Sequence, residues 1–478
     1  MIVFLCVLGI LLAFLLVLLV RALRFTPAEQ ETPAPLTEKP DPDKAVSHLQ
    51  RLIRCRTVSD SDRSLEDDSQ FEALYALLPE LYPHVYASCQ AVRPNDRSLI
   101  YVWKGRSSEK PVVLMAHYDV VPVRQEEWQR DAFSAEIVDG ELWGRGTLDT
   151  KATFNGVLEA ADNLISEGFV PANDIYMCFA GNEETGGNGA PANVEWLRSR
   201  GVKPELVLDE GGAVVENVFP GVTQPAAVIG IAEKGSLNLR LELETKGGHS
   251  STPPVHSAIG SLAQAVCRVE SSPFPFRITP PAARMFDTLA RYSTLPYRLI
   301  FANLWCFGPV LDLICRKSGG ELNALVRTTV AFTRAQGSDA YNVLPNSAWV
   351  AANLRLIPGE DADSAVNRLK SVIGDDRVKL VRAGGRDPSP ISLVDDEPWQ
   401  RLSAAVRTAW PEAVVTPYLM IACSDSCRYC SISSHVYRFS AMALSKEQRG
   451  MIHGRDERIP LETAVRTVAF YQTLIRTC

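Results

Sequence analysis

Positive charge is in short supply in this 478-residue chain: 49 Lys and Arg face 56 Asp and Glu, a formal net charge of −7. A dedicated nucleic-acid binder shows a basic face, so that class is excluded, although a local cationic pocket is not. No G-x-S-x-G string occurs, which removes the nucleophile elbow of the serine hydrolases. Internal repeats are absent too, and solenoid and propeller architectures go with them. The eleven cysteines are odd in number and scattered from Cys6 to Cys478, which argues against a disulfide framework and for reduced, buried thiols. Neither hydrophobic content (46%) nor charged content (22%) is extreme, so wholesale disorder and fibrous classes are excluded. The length is near three times the ~150 residues of one domain, so two domains or one large elaborated one are expected.

One long apolar run is present, Ile2 to Val20, closed by Arg21 and Arg24. At 1.5 Å per helical residue it extends roughly 28 Å, enough to cross a hydrocarbon core. A cleaved signal peptide would have a basic start and a shorter apolar stretch, so residues 2–20 are read as an uncleaved, single-pass membrane anchor. The alternative is a cleaved segment and a secreted product. Two arginines bias residues 21 onward to the cytoplasmic side, without settling the side. Residues 21–43, rich in proline, read as a tether.

From Lys44 short apolar strands alternate with helical patterns, the signature of an α/β fold with a central mixed, mostly parallel sheet. Strands are expected at Val112–Ala116, Ile175–Ala180 and Leu206–Leu208, with a helix over 152–167 carrying Phe154, Val157, Leu158, Ala161 and Leu164 on one stripe. From Ala232 the character changes. Gly235–Thr245 and Ala348–Ile357 alternate as antiparallel strands do, and Met285–Cys315 is apolar but broken by prolines. Residues 232–358 are therefore read as an α+β domain inserted between catalytic parts 44–231 and 359–478, the latter ending in a helix over Leu461–Ile475.

Each of the three strands in the first part runs into acid or imidazole: His117 and Asp119, Glu183 and Glu184, Asp209 and Glu210. Asp149 stands where the next helix begins. The carboxyl ends of parallel strands line one crevice, so His117, Asp119, Asp149, Glu183, Glu184 and Asp209 can converge. Several carboxylates that close repel one another by several kcal/mol unless neutralised. A pair of divalent cations resolves this, and mixed imidazole and carboxylate ligands suit zinc.

The strings LMAHYDVVPV, WGRGTLDTKA, AGNEETGGNGA, LVLDEGG, EKGSLNLRLELETKGGHSSTPP, YNVLPNSAWVAANLRLIPG and IHGRDERI occur in this order between residues 112 and 459. Together they resemble the zinc aminoacylase/carboxypeptidase metallopeptidases, in particular the branch of carboxypeptidase S and the N-fatty-acyl-amino acid synthase/hydrolases. The resemblance implies a zinc peptidase domain with an inserted lid and dimerisation domain. It implies that His117 and Asp209 hold one zinc, Glu184 and His453 the other, with Asp149 bridging, cobalt or manganese being able to substitute. It makes Glu183 the general base and Asp119 the partner that orients His117. It makes His249 the group that polarises the scissile carbonyl, commonly from across a dimer, and Asn342 and Arg355 the clamp on a substrate carboxylate.

Two departures from the family pattern stand out. Thr150 replaces the second of two aspartates, which leaves the ligand in place. Cys427 stands where relatives carry arginine, with Arg428 one position late, so substrate recognition there differs. Cys423, Cys427 and Cys430 also imitate the C-x3-C-x2-C spacing of an iron–sulfur site, but only 48 residues follow Cys430, too few for the barrel that carries such clusters.

The expected function is a membrane-anchored dinuclear zinc amidohydrolase or carboxypeptidase acting on N-acyl amino acids or short peptides with a free carboxylate. Long-chain acyl groups would lie in the apolar stretch Met285–Cys315, and the reaction would be reversible. The alternative is a non-catalytic, membrane-tethered binding module that keeps the fold.

Overall fold

The computed structural model describes residues 1–27 and 34–478, so the middle of the proline-rich tether lies outside the described residues. An eight-stranded sheet forms the larger layer. Across it the strands run Gln90–Val92, Ser98–Trp103, Asn173–Ala180, Ser107–His117, Leu206–Val215, Val436–Leu444, Ala226–Glu233 and Val414–Met420. Ser107–His117 is parallel to both of its neighbours, and Leu206–Val215 is parallel to Val436–Leu444. The ends of these strands therefore open on one edge.

The expected strands are all present and longer than their apolar runs. Their central residues are buried on both faces: Val112, Leu114 and Ala116 meet one apolar cluster, Val113 and Met115 the other. Continuous Val/Leu/Met runs are what a sheet covered by helices on both sides requires. The first face is covered by Lys151–Ser166 and Leu461–Arg476. These helices approach so closely at Gly156 that a Cβ there would lie 2.6 Å from Thr467 Cγ2.

The second sheet orders Thr329–Gln336, Ser347–Leu356, Gly235–Glu244 and Lys379–Arg386, all antiparallel. Leu237, Leu239, Leu241 and Leu243 turn inward against the helices Ala258–Ser271 and Ala362–Ile373. The fourth strand lies beyond the boundary expected at 358. Pro358-Gly359 makes a turn, but the chain then returns through a helix and pairs with Gly235–Glu244. A turn in the sequence does not reveal which sheet the next strand joins.

Met285–Cys315 forms three helices, Pro280–Tyr292, Leu295–Phe301 and Leu304–Ser318. Their buried residues Met285, Phe286, Phe301, Leu311 and Cys315 share a cluster with Val414 and Tyr418 of the larger sheet. They pack with the larger layer, not with the second sheet. The amino-terminal run is a helix, Ile2–Arg24, with a window of mean hydropathy 3.4. Only Leu18 and Ala22 in it are buried.

Candidate metal centre

Two sets of ligand atoms meet at the open edge of the larger sheet and share Asp149. His117, at the end of its strand, places Nε2 2.9 Å from Asp149 Oδ1 and 3.5 Å from Glu210 Oε1. His453 places Nε2 3.0 Å from Asp149 Oδ2 and 2.9 Å from Glu184 Oε2. Each oxygen of Asp149 thus faces one imidazole. His453 is held in the left-handed region, φ 59°, a costly conformation for a residue with a side chain.

Asp119 holds this arrangement together. Its carboxylate accepts the Ser59 hydroxyl at 2.6 Å and the backbone N–H groups of Glu183 and Glu184 at 3.1 and 3.2 Å. Its Oδ1 lies 3.3 Å from His117 Nδ1, and its backbone carbonyl 3.0 Å from the same nitrogen. One buried aspartate therefore fixes the ring of one ligand and the backbone of the two adjacent glutamates, which is how outer partners orient ligands at metal sites.

The loop that carries Asp149 has its own anchor. Glu457, fully buried, accepts Arg145 Nη1 at 2.6 Å and the backbone N–H groups of Gly146, Leu148 and Asp149 at 3.1, 2.7 and 3.2 Å. The peptide Asp149–Thr150 is cis. Lys151 donates from Nζ to the carbonyls of Leu52 and Cys55 at 3.0 and 2.6 Å, closing a helix end. Burial brings its ammonium down to about 8. Glu457→Ala leaves Arg145 buried without its partner, a change that typically costs about 3–5 kcal/mol. A clearly lowered denaturation midpoint in calorimetry is the expected result.

The electrostatics ask for more positive charge than the side chains supply. Burial raises the carboxyls of Glu183 and Glu184, brings Glu210 to about 8 and Asp425 to about 7, and neighbouring carboxylates add to each shift. Burial also pushes Asp149 upward, but hydrogen bonds from His117 and His453 outweigh it and hold that carboxyl low. Hydrogen bonds to Asp149 and Glu184 lift His453 to about 10. The donor set fits divalent ions: separations of 2.9–3.5 Å between ligand atoms are close to the roughly 3.4 Å between neighbouring donors around a tetrahedral zinc with bonds near 2.1 Å.

Asp209 is not in this cluster; Glu210 takes the place expected for it. Within the strand Leu206–Val215 successive side chains alternate faces. Asp209 therefore turns with Val207 toward the helix Ser426–Tyr429, and its Oδ2 accepts the Ser426 N–H at 2.9 Å. Glu210, one residue on, swings across the strand ends to His117. The string Asp-Glu-Gly-Gly contains both acids, and only the register tells them apart. Glu457 was likewise visible in IHGRDERI without any sign of its role.

His249 and Asn342 come together, but away from the ligand cluster. They flank a short ladder at the tip of the second sheet, where Ser250 N–H donates to the Asn342 carbonyl at 3.0 Å. Both are exposed, and His249 Nδ1 pairs with the Ser251 hydroxyl at 2.8 Å. Arg355 reaches the substituted loop instead, with Nη1 2.9 Å from Cys423 Sγ. Arg386, unremarked in the sequence, reaches the same loop. Its Nη2 sits 2.5 Å from Glu233 Oε2, a buried carboxylate shared with Arg438 at 2.8 Å. Two guanidinium groups on one carboxylate leave an excess positive charge beside Cys423 and Cys427. Cys423 pairs with Arg355 there, while Cys430 lies 3.7 Å from Arg438 Nη2.

Residues 113–477 match the model of peptidase family M20/M25/M40. The chain belongs to peptidase family M20. This M20 chain is 34% identical over 482 residues to the protein called probable carboxypeptidase S-like 2 of Dictyostelium discoideum, covering 98% of this chain and 92% of the relative. It is 35% identical over 437 residues to N-fatty-acyl-amino acid synthase/hydrolase PM20D1 of Xenopus tropicalis, covering 90% and 85%. In fold it resembles the crystal structure of an M20 family metallo-carboxypeptidase from Sulfolobus solfataricus, with a TM-score of 0.67 at 17% identity over 91% of this chain and 98% of that one. The chain is a hydrolase of a metal-dependent peptidase family, and among the described residues His117 forms two groups that could hold a metal ion, one with Asp149 and Glu184, the other with Glu183 and Glu210.

Proposed function

We propose that this M20 enzyme cleaves, and in reverse forms, the amide of N-acyl amino acids, with long acyl chains preferred over short peptides. The observation that carries this reading is a largely apolar cavity of about 330 Å³ whose lining includes Gly211 and Ile452, the chain neighbours of Glu210 and His453. Phe219, Met285, Leu322, Leu325 and Tyr418 line it. Of the apolar stretch expected to form the pocket, only Met285 does so; the remaining walls come from either side of it in the chain. The size falls within the range of small-molecule sites.

His117 and Glu210 would hold one zinc, His453 and Glu184 the second, with Asp149 between them. Cobalt or manganese could take their place. Bound there, such a pair supplies Lewis acidity toward the attacking water and the scissile carbonyl. Glu183 takes the proton from that water and returns it to the departing nitrogen. Burial raises its carboxyl, which suits a group that must both accept and donate a proton. Asp119 keeps Glu183 on station through the backbone. Arg355, with the excess charge at Arg386, receives the carboxylate of the leaving amino acid. His249 and Asn342, exposed at the tip of the second sheet, would complete the site from a partner subunit of a homodimer.

We also read Ile2–Arg24 as the membrane anchor of the enzyme, a cleaved signal being the alternative. Turnover of N-oleoyl-phenylalanine, N-acetyl-phenylalanine and Gly-Leu tests the substrate class; preference for the dipeptide would refute the acyl-chain reading. Leu322→Trp, which narrows the cavity, should lower kcat/KM for the oleoyl substrate by about tenfold or more and spare the acetyl one. Arg355→Ala should raise KM for either acyl amino acid by about 10- to 100-fold, the worth of a charge-assisted hydrogen bond.

A further inference from the structure

The helix Leu304–Ser318 shows solvent a face that a soluble protein would hide. Val310, Leu313 and Ile314 are 46%, 53% and 44% exposed and follow helical spacing, Trp305 at the start of the helix is 61% exposed, and Leu311 and Cys315 point inward. Its one acid, Asp312, is turned aside into pairs with Arg316 and Arg327. Contiguous exposed apolar surface of this kind marks an interaction site.

The amino-terminal helix indicates what covers this face. Arg21 Nη2 donates to the Ala302 carbonyl at 2.9 Å and Nε to Asn303 Oδ1 at 3.1 Å; Asn303 Nδ2 donates back to the Leu18 carbonyl at 3.1 Å. Higher up, Phe14 meets Trp305 edge to face at 5.9 Å. Phe14 lies seven residues before Arg21, about 10 Å further along the helix. If Arg21 marks the headgroup level, Trp305 sits at the depth of Phe14, within the hydrocarbon. The preceding helix Leu295–Phe301 meets Leu304–Ser318 at 107°, and the pair is apolar enough for a broken or re-entrant membrane segment. Arg316 and Lys317 close it with exposed cations.

We propose that the bent pair Leu295–Ser318 inserts into the same leaflet that the amino-terminal helix crosses, with lipid acyl chains against Trp305, Val310, Leu313 and Ile314. This rests on the anchor reading above. The inner side of the pair shares one apolar cluster with Phe219, Met285 and Leu325 of the cavity wall. Lipid and acyl pocket thus lie on two sides of a single apolar layer, and a long-chain substrate dissolved in the leaflet reaches the enzyme without crossing water.

The test uses the full chain in phosphatidylcholine nanodiscs, with and without bromine on the acyl chains. Trp305 is one of eight tryptophans, yet Trp305→Phe should remove most of the bromine-dependent quenching. Quenching unchanged by that substitution would overturn the insertion, including the case in which a second copy of the chain covers the face. A paired variant, Leu313→Asp with Ile314→Asp, should keep N-acetyl-phenylalanine turnover and lose turnover of N-oleoyl-phenylalanine presented in vesicles. Equal retention of both would also contradict the proposal. Amino-terminal sequencing of the cell-derived protein separates the two readings. If residues 2–20 are gone the anchor reading fails, and quenching of Trp305 in that mature chain by brominated vesicles then decides the insertion alone.

Discussion

Glu183→Ala should abolish hydrolysis while leaving the fold and the metal in place. A positioned general base contributes about 10²–10⁴ in rate, so kcat should fall by that factor or more with the bound metal unchanged. The separation of the two effects follows from the geometry. Glu183 and Glu184 are adjacent, and Asp119 grips both backbones, but it is Glu184 whose carboxylate lies against His453. Truncating Glu183 removes none of the contacts among His117, Asp149, Glu210, Glu184 and His453. Metal analysis and single-turnover kinetics on one preparation check this. Loss of metal with the base would show that Glu183 is a ligand, and retained turnover would remove it from the chemistry.

Glu210→Gln and Asp209→Ala should separate just as sharply, in the opposite sense from the sequence expectation. Glu210 faces His117, so its replacement should weaken one metal site by at least about 100-fold, more than the loss of an outer hydrogen-bond partner costs. Asp209 borders the same site beside His117 and Glu183, but its carboxylate accepts the Ser426 N–H. Its truncation removes a buried charge-assisted hydrogen bond and leaves the Ser426 N–H only the longer contact to the Ser424 hydroxyl at 3.3 Å, worth about 1–3 kcal/mol of stability, and should leave the metal content intact. Titration of each metal-free variant with zinc, alongside calorimetric unfolding, distinguishes them. A metal loss in Asp209→Ala with none in Glu210→Gln would reverse the assignment.

The contrast between these two acids marks how far the sequence reads. Continuous apolar runs locate the strands that lead to His117, Glu183 and the Asp209-Glu210 pair, and a period of 3.6 locates the helix after Asp149, because buried runs and helical stripes are local properties. The choice between Asp209 and Glu210 is not local. It depends on which face of the pleat meets the Ser426 helix, and that is set by chain hundreds of residues away. The second sheet failed at the same level: Lys379–Arg386 contains Gly384 and Gly385 and has little apolar character, so nothing nearby announces its pairing with Gly235–Glu244. Arg386 escaped notice for the same reason, since only the fold brings it against Glu233 beside Cys427. Met285–Cys315 is legible as apolar, but the outward face of its last helix is not, because composition does not say which side of a helix is covered.

Diffraction from crystals of the zinc-loaded enzyme, recorded on both sides of the zinc absorption edge, tests the central reading most directly. Two anomalous peaks should flank Asp149, one within bonding distance of His117 and Glu210, the other of His453 and Glu184. A single peak, or peaks that leave Asp149 outside bonding reach, would contradict the paired centre.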